Sequence, residues 1–525
     1  MRKRLRMLSI LAALAVSATA CASDSSSDTT SRATATTSPS RIDNTGTTSA
    51  TTNTGGDRGF DGRNTTTTTA GTLGNTTFED YGTNPFLDPA RDDLSTFAVD
   101  VDTGAYTLMR AWINDGILPD PDSVRVEEYV NYFDAGYEAP TDQTFAIYAD
   151  GGPTPYFDRR NDVVRIGIQG REVPERRRQD LNLAFVIDVS GSMNQGGKLD
   201  TVKDSLSVLV AQLDRFDTVS IVSYNREARV ELEPTPGDDA ETILDAIDDL
   251  RAGGNTNAEA GLLLGYEMAD EAFGRNAVNR VVLLSDGVAN VGNTGPEAIL
   301  SQIGDRAREG IDLVTIGVGI ETYNDVLLEQ LADQGNGWYA YVDTYDEAVR
   351  LFEDRLTTSL ETIARDVKVQ VEFDPELVLE YRLIGFENRD LDDRDFRNDE
   401  VDAGEVNAGH SVTALYEVGL AREAYRSDDA FATVNVRWTD PNSGRVEEIS
   451  GGISSALVRE RFSRTTTEFQ VASTVAAYAE VLRGSRFVQV GLGEVLEEAR
   501  DLDRSDDPAV SEFVDLLARA FELEG

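Results

Sequence analysis

One cysteine, one histidine and four lysines are all that 525 residues hold of those types, and each scarcity closes off a kind of chemistry. Cys21 has no second thiol to pair with, so no disulfide within the chain staples the fold. His410 alone cannot build a zinc site of the usual nitrogen and sulfur type. It could serve a Ser-His pair only if the fold carried it to a nucleophile; a lone histidine in strand-rich sequence reads as a structural or surface residue. Lysine occurs only at positions 3, 198, 203 and 368, so arginine supplies nearly all the positive charge. Even so, positive charge is short: Lys+Arg total 48 against Asp+Glu 94, a formal charge of −46. A phosphate backbone needs a basic surface, so no nucleic acid is expected as a partner. The acidity reads as solubility or a saline habitat. Long apolar runs are missing too. Beyond the first twenty residues no stretch reaches the roughly 18 apolar residues of a membrane span. No P-loop, G-x-S-x-G elbow or zinc spacing occurs.

What is present begins with an address. Arg2, Lys3, Arg4 and Arg6 precede the apolar run LSILAALAVS and then ATAC, ending at Cys21. Residues 1–20 read as a signal peptide of the bacterial lipoprotein kind, with Cys21 the lipidated first residue of the mature chain. Ala18 stands where leucine is more usual, which leaves ordinary signal-peptidase cleavage open. Residues 21–77 are rich in Ser, Thr, Gly and Asn with almost no large apolar side chains, and are expected to form a disordered linker. A flexible coil of roughly 55 residues averages about 40 Å end to end, the reach of a stalk.

Ordered sequence is expected from Phe78. Residues 78–179 read as a strand, a turn, two helices split by a Pro-rich break, and two β-like segments. From 180 to 362 strands alternate with helical patterns: LAFVID, TVSIVSY, RVELE, RVVLLSD, DLVTIGVG and GWYAYV are the strand candidates. That alternation predicts an α/β unit, a doubly wound and mostly parallel sheet of Rossmann-like build. Residues 363–525 change period. DVKVQVEFD, LVLEYRLIGF, HSVTALYEVGL and ATVNVRWTD alternate without intervening helices, and helical spacing returns in the last sixty residues. The α/β unit is therefore expected to be inserted into, or docked on, a β-rich platform built from residues 140–170 and 365–455, with helices at the C-terminus.

The chemistry concentrates after the first strand of the α/β unit, in LNLAFVIDVSGSM. Asp188, Ser190 and Ser192 stand at i, i+2 and i+4 where an apolar strand gives way to a Ser/Gly turn, and Leu199, Val202, Leu206 and Leu209 then take up helix-face spacing. This places a carboxylate and two hydroxyls at the C-terminal edge of a parallel strand, where open α/β sheets bind ligands. Oxygen-only donors suit Mg²⁺ or Mn²⁺ and suit zinc or copper poorly. Two more oxygen-bearing loops follow: Thr256 in GGNTNAEAG, and Asp286 at the end of RVVLLSD. Singly, each residue has a plain structural role open to it, Ser192 or Thr256 as a helix cap and Asp286 in a turn.

Together, Asp188-x-Ser190-x-Ser192, Thr256 and Asp286 resemble the metal-ion-dependent adhesion site of von Willebrand factor A domains, over residues 180–362. The flanks, STFAVDVDTGAY with LPDPDSVRVEEYVNYF before and the strand-plus-helix segment after, resemble the associated N-terminal region and the C-terminal domain of unknown function of a bacterial lipoprotein family. The resemblance implies that Ser190 and Ser192 bind the ion directly, that Thr256 binds directly or through water, and that Asp188 and Asp286 act largely through water. It implies Mg²⁺ or Mn²⁺ ahead of Ca²⁺, and a protein partner that offers the ion an Asp or Glu carboxylate. The expected function is a lipid-anchored, extracytoplasmic binding module of the adhesion or assembly kind, with no catalytic residues.

Two alternatives stand beside it. One is an envelope hydrolase using Ser190 or Asp102, since FAVDVDTG imitates an aspartic-protease loop; that chemistry needs a second such loop, and none follows an equivalent strand. The other is a structural envelope protein whose metal site takes no external ligand. DLDRSDDPAVSE, from Asp501, imitates a calcium loop, but Asp506 and Pro508 spoil it; an acidic interhelix loop with a helix start near Pro508 is the expectation.

Overall fold

The computed structural model describes residues 40–41, 78, 80–99, 101–174, 177–287, 310–319, 325–355, 361–401, 403–459, 461–502 and 507–525. Cys21, the expected signal peptide and nearly all of the expected linker lie outside them. At two residues the structure departs from the linker reading: Ser40–Arg41 forms a short strand, β1, antiparallel to the strand over Phe145–Gly152. The edge of a sheet offers unpaired backbone groups, which a polar segment can satisfy without burying apolar surface.

The chain continues with β2 (Leu94–Ala98), helices α1 (Gly104–Asn114) and α2 (Val126–Asn131), and strands β3 (Phe145–Gly152) and β4 (Asp162–Gly170). The α/β unit follows: β5 (Asp180–Asp188), α3 (Lys198–Val210), β6 (Thr218–Tyr224), β7 (Ala228–Pro236), α4 (Ala240–Asp248), α5 (Ala258–Glu271), β8 (Ala277–Ser285), β9 (Ile311–Val318), α6 (Asp325–Gln334), β10 (Tyr339–Val342) and α7 (Tyr345–Val349), which runs on as a π-turn over Arg350–Arg355. The C-terminal part holds β11 (Thr362–Phe373), β12 (Val378–Ile384), β13 (Gly404–Asn407), β14 (Ser411–Leu420), β15 (Ala430–Thr439) and β16 (Val446–Ser454), then helices α8 (Thr467–Leu482), α9 (Leu492–Leu502) and α10 (Pro508–Glu524).

The α/β sheet runs in the order β10-β9-β8-β5-β6-β7. Every pairing is parallel except β6 with β7. The apolar run of β5 is buried on both faces, as a central parallel strand must be, and each such Val, Leu or Ile contributes about 1.5–3 kcal/mol. The antiparallel β7 closes one edge, and its charged Arg229, Glu231 and Glu233 discourage further pairing. One face of the sheet packs on α3 and α4 through residues such as Val202, Leu206, Leu209 and Ile243; the other packs on α5 and α6 through Leu262, Tyr266 and Leu331.

The unit is inserted between β4 and β11 of a platform made of two sheets, ordered β1-β3-β4-β14-β12 and β13-β11-β15-β16 with β2 also on β11. Their inner faces share one core, with Ile147, Ile166 and Tyr416 from the first meeting Val369, Val434 and Phe97 from the second. The helices α1, α2 and α8–α10 form a further layer against Val163, Ile384 and Leu415 of the first sheet. Helix α1 divides its side chains. Tyr106, Met109 and Ile113 face the helical layer, while Leu108 and Trp112 join the core of the α/β unit.

Two buried polar clusters bolt the insertion in place. At the strand N-termini, Arg280 pairs with Asp312 (3.3 Å) and donates to Thr362 (2.9 Å), while Arg365 pairs with the same Asp312 (3.0 Å). On the side of α1, Arg110 binds Asp343 and Glu347 of the α/β unit and Glu512 of α10. Close approach at α1 demands glycine. A Cβ on Gly104 would lie 2.1 Å from the Tyr339 ring. Gly104→Ala is therefore expected to lower stability by about 1–3 kcal/mol, read from urea unfolding midpoints; an unchanged midpoint would show that the ring can yield.

Candidate metal centre

The C-terminal end of β5 is held on both sides. Asp188 lies opposite Tyr224 on β6, and Ile187 lies opposite Leu284 on β8. Ser285, the last residue of β8, thereby reaches Asp188 and donates its hydroxyl to Oδ2 at 3.1 Å. Oδ1 accepts the Ser190 backbone N–H at 2.7 Å. A 3₁₀ turn over Gly191–Asn194 brings the Ser190 and Ser192 hydroxyls to 2.9 Å of each other, with buried Met193 anchoring the turn in the core below.

The loop carrying Thr256 is laced onto this turn. Gly253 N–H donates to Val189 O at 2.7 Å and Gly191 N–H to Gly254 O at 3.0 Å. Asn225, just past β6, ties in the other side: its amide donates to Gly253 O at 2.9 Å, and its carbonyl accepts from Asn257 N–H at 2.8 Å. Asn257, not Thr256, caps α5, by accepting from Ala260 N–H at 3.2 Å. Thr256 itself is buried.

Asp286 follows β8 with no exposure to solvent. Its Oδ2 accepts from the Lys198 ammonium at 3.1 Å. Its Oδ1 is buried and has no hydrogen-bond partner among the described residues. Burial, and then the charge of Asp286, push the Asp188 carboxyl up to about 7, against the opposing hydrogen bonds from Ser190 and Ser285. Burial, with the Asp188 charge second, holds the Tyr224 phenol well above its ordinary value, so it remains a neutral hydroxyl.

The loops that bear Asp188, Ser190, Ser192, Thr256 and Asp286 thus converge on one edge of the sheet. Of the two buried carboxylates, Asp286 holds the Lys198 ammonium and Asp188 accepts from Ser190 and Ser285; one Asp286 oxygen lacks a donor among the described residues, and the Ser190 and Ser192 hydroxyls lie beside them. Among the described residues no cluster of three or more His, Cys, Asp or Glu side chains could hold a metal, which leaves no thiolate or imidazole site. The donor set fits a hard divalent cation: it is all oxygen, carries excess negative charge, and leaves a buried acceptor unsatisfied.

Lys198 and Ser285 escaped the sequence reading. Lys198 stands six residues after Ser192 and is one of four lysines in the chain, a position that could have marked it. The other motifs fall into structural roles. Asp102 is buried, accepts Tyr339 N–H at 3.1 Å and lies 3.7 Å from Arg389, so it joins the N-terminal region to β10. His410 sits in the turn before β14, where its carbonyl accepts Gly170 N–H at 2.9 Å, in the platform sheet and not at the strand edge of Ser190. Asp507 caps α10 by accepting Ala509 N–H at 2.9 Å, with Pro508 as the first helical residue; residues 503–506 of the calcium-like stretch lie outside the described residues.

Known proteins share this arrangement of sequence. Residues 182–354 match the von Willebrand factor type A domain family, residues 72–165 a family described as von Willebrand factor, and residues 358–523 one described as uncharacterized protein YfbK, C-terminal. The chain is 33% identical over 469 residues to uncharacterized protein YfbK of Escherichia coli (strain K12), covering 84% of this chain and 80% of that one. It is 29% identical over 184 residues to inter-alpha-trypsin inhibitor heavy chain H3 of Homo sapiens, covering 33% of this chain and 19% of that protein. A solved structure of von Willebrand factor type A from Catenulispora acidiphila aligns at TM-score 0.42 and 16% identity, over 72% of this chain and 93% of that one. With its α/β insertion and both flanks matched, the chain belongs to the bacterial von Willebrand factor type A proteins typified by YfbK.

Proposed function

We propose that this chain is a lipid-anchored, extracytoplasmic protein-binding module whose α/β unit captures a partner's carboxylate through a divalent cation. The observation that carries this reading is Asp286 Oδ1, a buried carboxylate oxygen without a donor among the described residues, beside a second carboxylate whose proton affinity is raised. Ser190, Ser192 and Thr256 would supply hydroxyl oxygens, and Asp188 and Asp286 the charge that retains Mg²⁺ or Mn²⁺. Bound there, the ion would supply an electrophilic centre for a partner's carboxylate oxygen. The region boundaries proposed are 78–179, 180–362 and 363–525. Among the described residues no helix is long and apolar enough to cross a membrane; attachment in this reading rests on Cys21, with residues 21–39, ahead of β1, as the tether.

The charge of the chain restricts the partner. At −46, the protein repels a generally acidic surface. A partner must therefore set its Asp or Glu within neutral or basic surroundings, so that steering and capture do not oppose each other.

Pull-down from envelope extracts with the full chain as bait tests the reading. Partners are expected to be recovered with Mg²⁺ and lost with EDTA, and to be absent with Asp188→Ala bait in either buffer. The same partners recovered by Asp188→Ala in EDTA would remove the metal from the function. Proximity labelling on intact cells, with and without the substitution, reports the same contrast in place.

A further inference from the structure

We infer that Lys198 sets the charge of the metal-loaded site, and so selects a carboxylate-bearing partner over a neutral one. This rests on the metal reading above. Lys198 opens α3 and is nearly solvent-free, with its side chain 4% exposed. Its ammonium holds Asp286 Oδ2 at 3.1 Å, which leaves Oδ1 as the open oxygen of that carboxylate. The stem is locked as well. It lies across Gly319, where a Cβ would come within 2.2 Å of Lys198 Cε, and Gly319 takes a φ of +80° that disfavours any side chain there. Two other carboxylates line the cleft beside Lys198, Asp115 and Asp343, and Arg110 engages Asp343.

The electrostatic consequence follows from counting charges. Above about pH 8, where the cation replaces the Asp188 proton, Asp188 and Asp286 with Lys198 give the site one negative charge. A divalent cation turns this to one positive charge. Without the ammonium, the loaded site would be neutral. In a buried setting a unit charge at contact distance outweighs most single hydrogen bonds. Lys198 therefore weakens the hold on the metal and strengthens the hold of the metal on an incoming anion. A lysine that merely filled space, or merely tied α3 to the end of β8, would move both affinities in the same direction.

Titration calorimetry on the full chain reads the two affinities separately, first with Mn²⁺ and then with acetate added to the Mn²⁺-saturated protein. Lys198→Met is expected to bind Mn²⁺ on the order of tenfold more tightly and acetate on the order of tenfold more weakly. Lys198→Arg, which keeps the charge, is expected to stay near wild type in both. A parallel fall of both affinities in Lys198→Met, or no change in either, would overturn the inference while leaving the metal reading intact. Failure of the wild type to bind Mn²⁺ would overturn both. Should Lys198→Met not fold, the wild type decides: with four lysines in the chain, ¹³C-lysine NMR can follow Lys198 directly. Its Cε resonance is expected to shift on Mg²⁺ saturation and again on addition of acetate; a resonance indifferent to either refutes the role.

Discussion

Mg²⁺ or Mn²⁺ at about 100 times its dissociation constant is expected to stabilise the α/β unit by about 2.7 kcal/mol, by mass action alone. For a unit of roughly this size, each kcal/mol is worth about 2–4 °C, so a calorimetric rise of about 5–10 °C in its transition is expected. Asp188→Ala and Ser190→Ala are both expected to abolish the rise; full retention in both would end the metal assignment. The effect should depend on pH in a particular sense. The Asp188 carboxyl stands at about 7 in the folded chain against an ordinary 3.8. Between those values the metal-free folded state keeps a proton that the unfolded state has released. Metal-free stability therefore falls as pH rises from about 4 through about 7. Above that range the cation can replace the proton, so the metal increment should be small near pH 5 and full above about pH 8. An increment independent of pH would mean that Asp188 does not face the ion.

Arg110→Met is expected to be the most damaging single substitution at the junction of the α/β unit with its flanks, costing about 3–5 kcal/mol. Arg110 makes a two-pronged pair with Asp343 (2.6 and 2.8 Å), and reaches Glu347 (2.9 Å), Glu512 (3.1 Å) and the Tyr132 hydroxyl (2.7 Å). Burial opposes its charge, but Asp343 and the other acids more than offset this and raise its pKa above the ordinary value. Removing it would strip Asp343, 5% exposed, of its guanidinium partner and leave Glu347, 6% exposed, with Arg350. The double variant Arg110→Met/Asp343→Asn should recover part of the loss, because it removes the orphaned charge. Urea midpoints and protease resistance of α10 are the readouts, and a loss under about 1 kcal/mol would contradict the role. The pH sense is the ordinary carboxylate one. Burial pushes Glu347 up, yet Arg350 and Arg110 hold it below 4.5, so its contribution is complete above that value and is lost as pH falls through the lower folded one.

Much of the fold is legible in the sequence. The strands at Asp180–Asp188, Thr218–Tyr224 and Ile311–Val318 are short apolar runs between helical patterns, and an insertion within β-rich flanks followed from the change of period near residue 365. Less legible was what the flanks pair with. The strand Leu94–Ala98 lies on β11, some 270 residues later, and β4 lies on β14. Alternation marks a strand but carries no address for its neighbour. The division of α1 between two cores was equally hidden, because Leu108 and Trp112 look no different in sequence from Met109 and Ile113.

The candidate site divides along the same line. That Asp188, Ser190 and Ser192 lie together was legible in the sequence because they fall within five residues, where strand and turn geometry decide their mutual placement. The kind of donor was also local information, since hydroxyls and carboxylates without cysteine or histidine suit a hard cation and suit zinc or copper poorly. Only the folded chain brought Lys198 to Asp286, 88 residues apart, and Ser285 to Asp188, 97 apart. Those contacts depend on β8 lying beside β5 and on the start of α3 reaching over β9. They decide which carboxylate oxygen is held, which is left open, and how much charge the site keeps. Backbone periodicity is written residue by residue, so sequence alone determined the strand, the turn and the donor atoms. Net charge at a point belongs to every segment that meets there, so tertiary structure alone decided it.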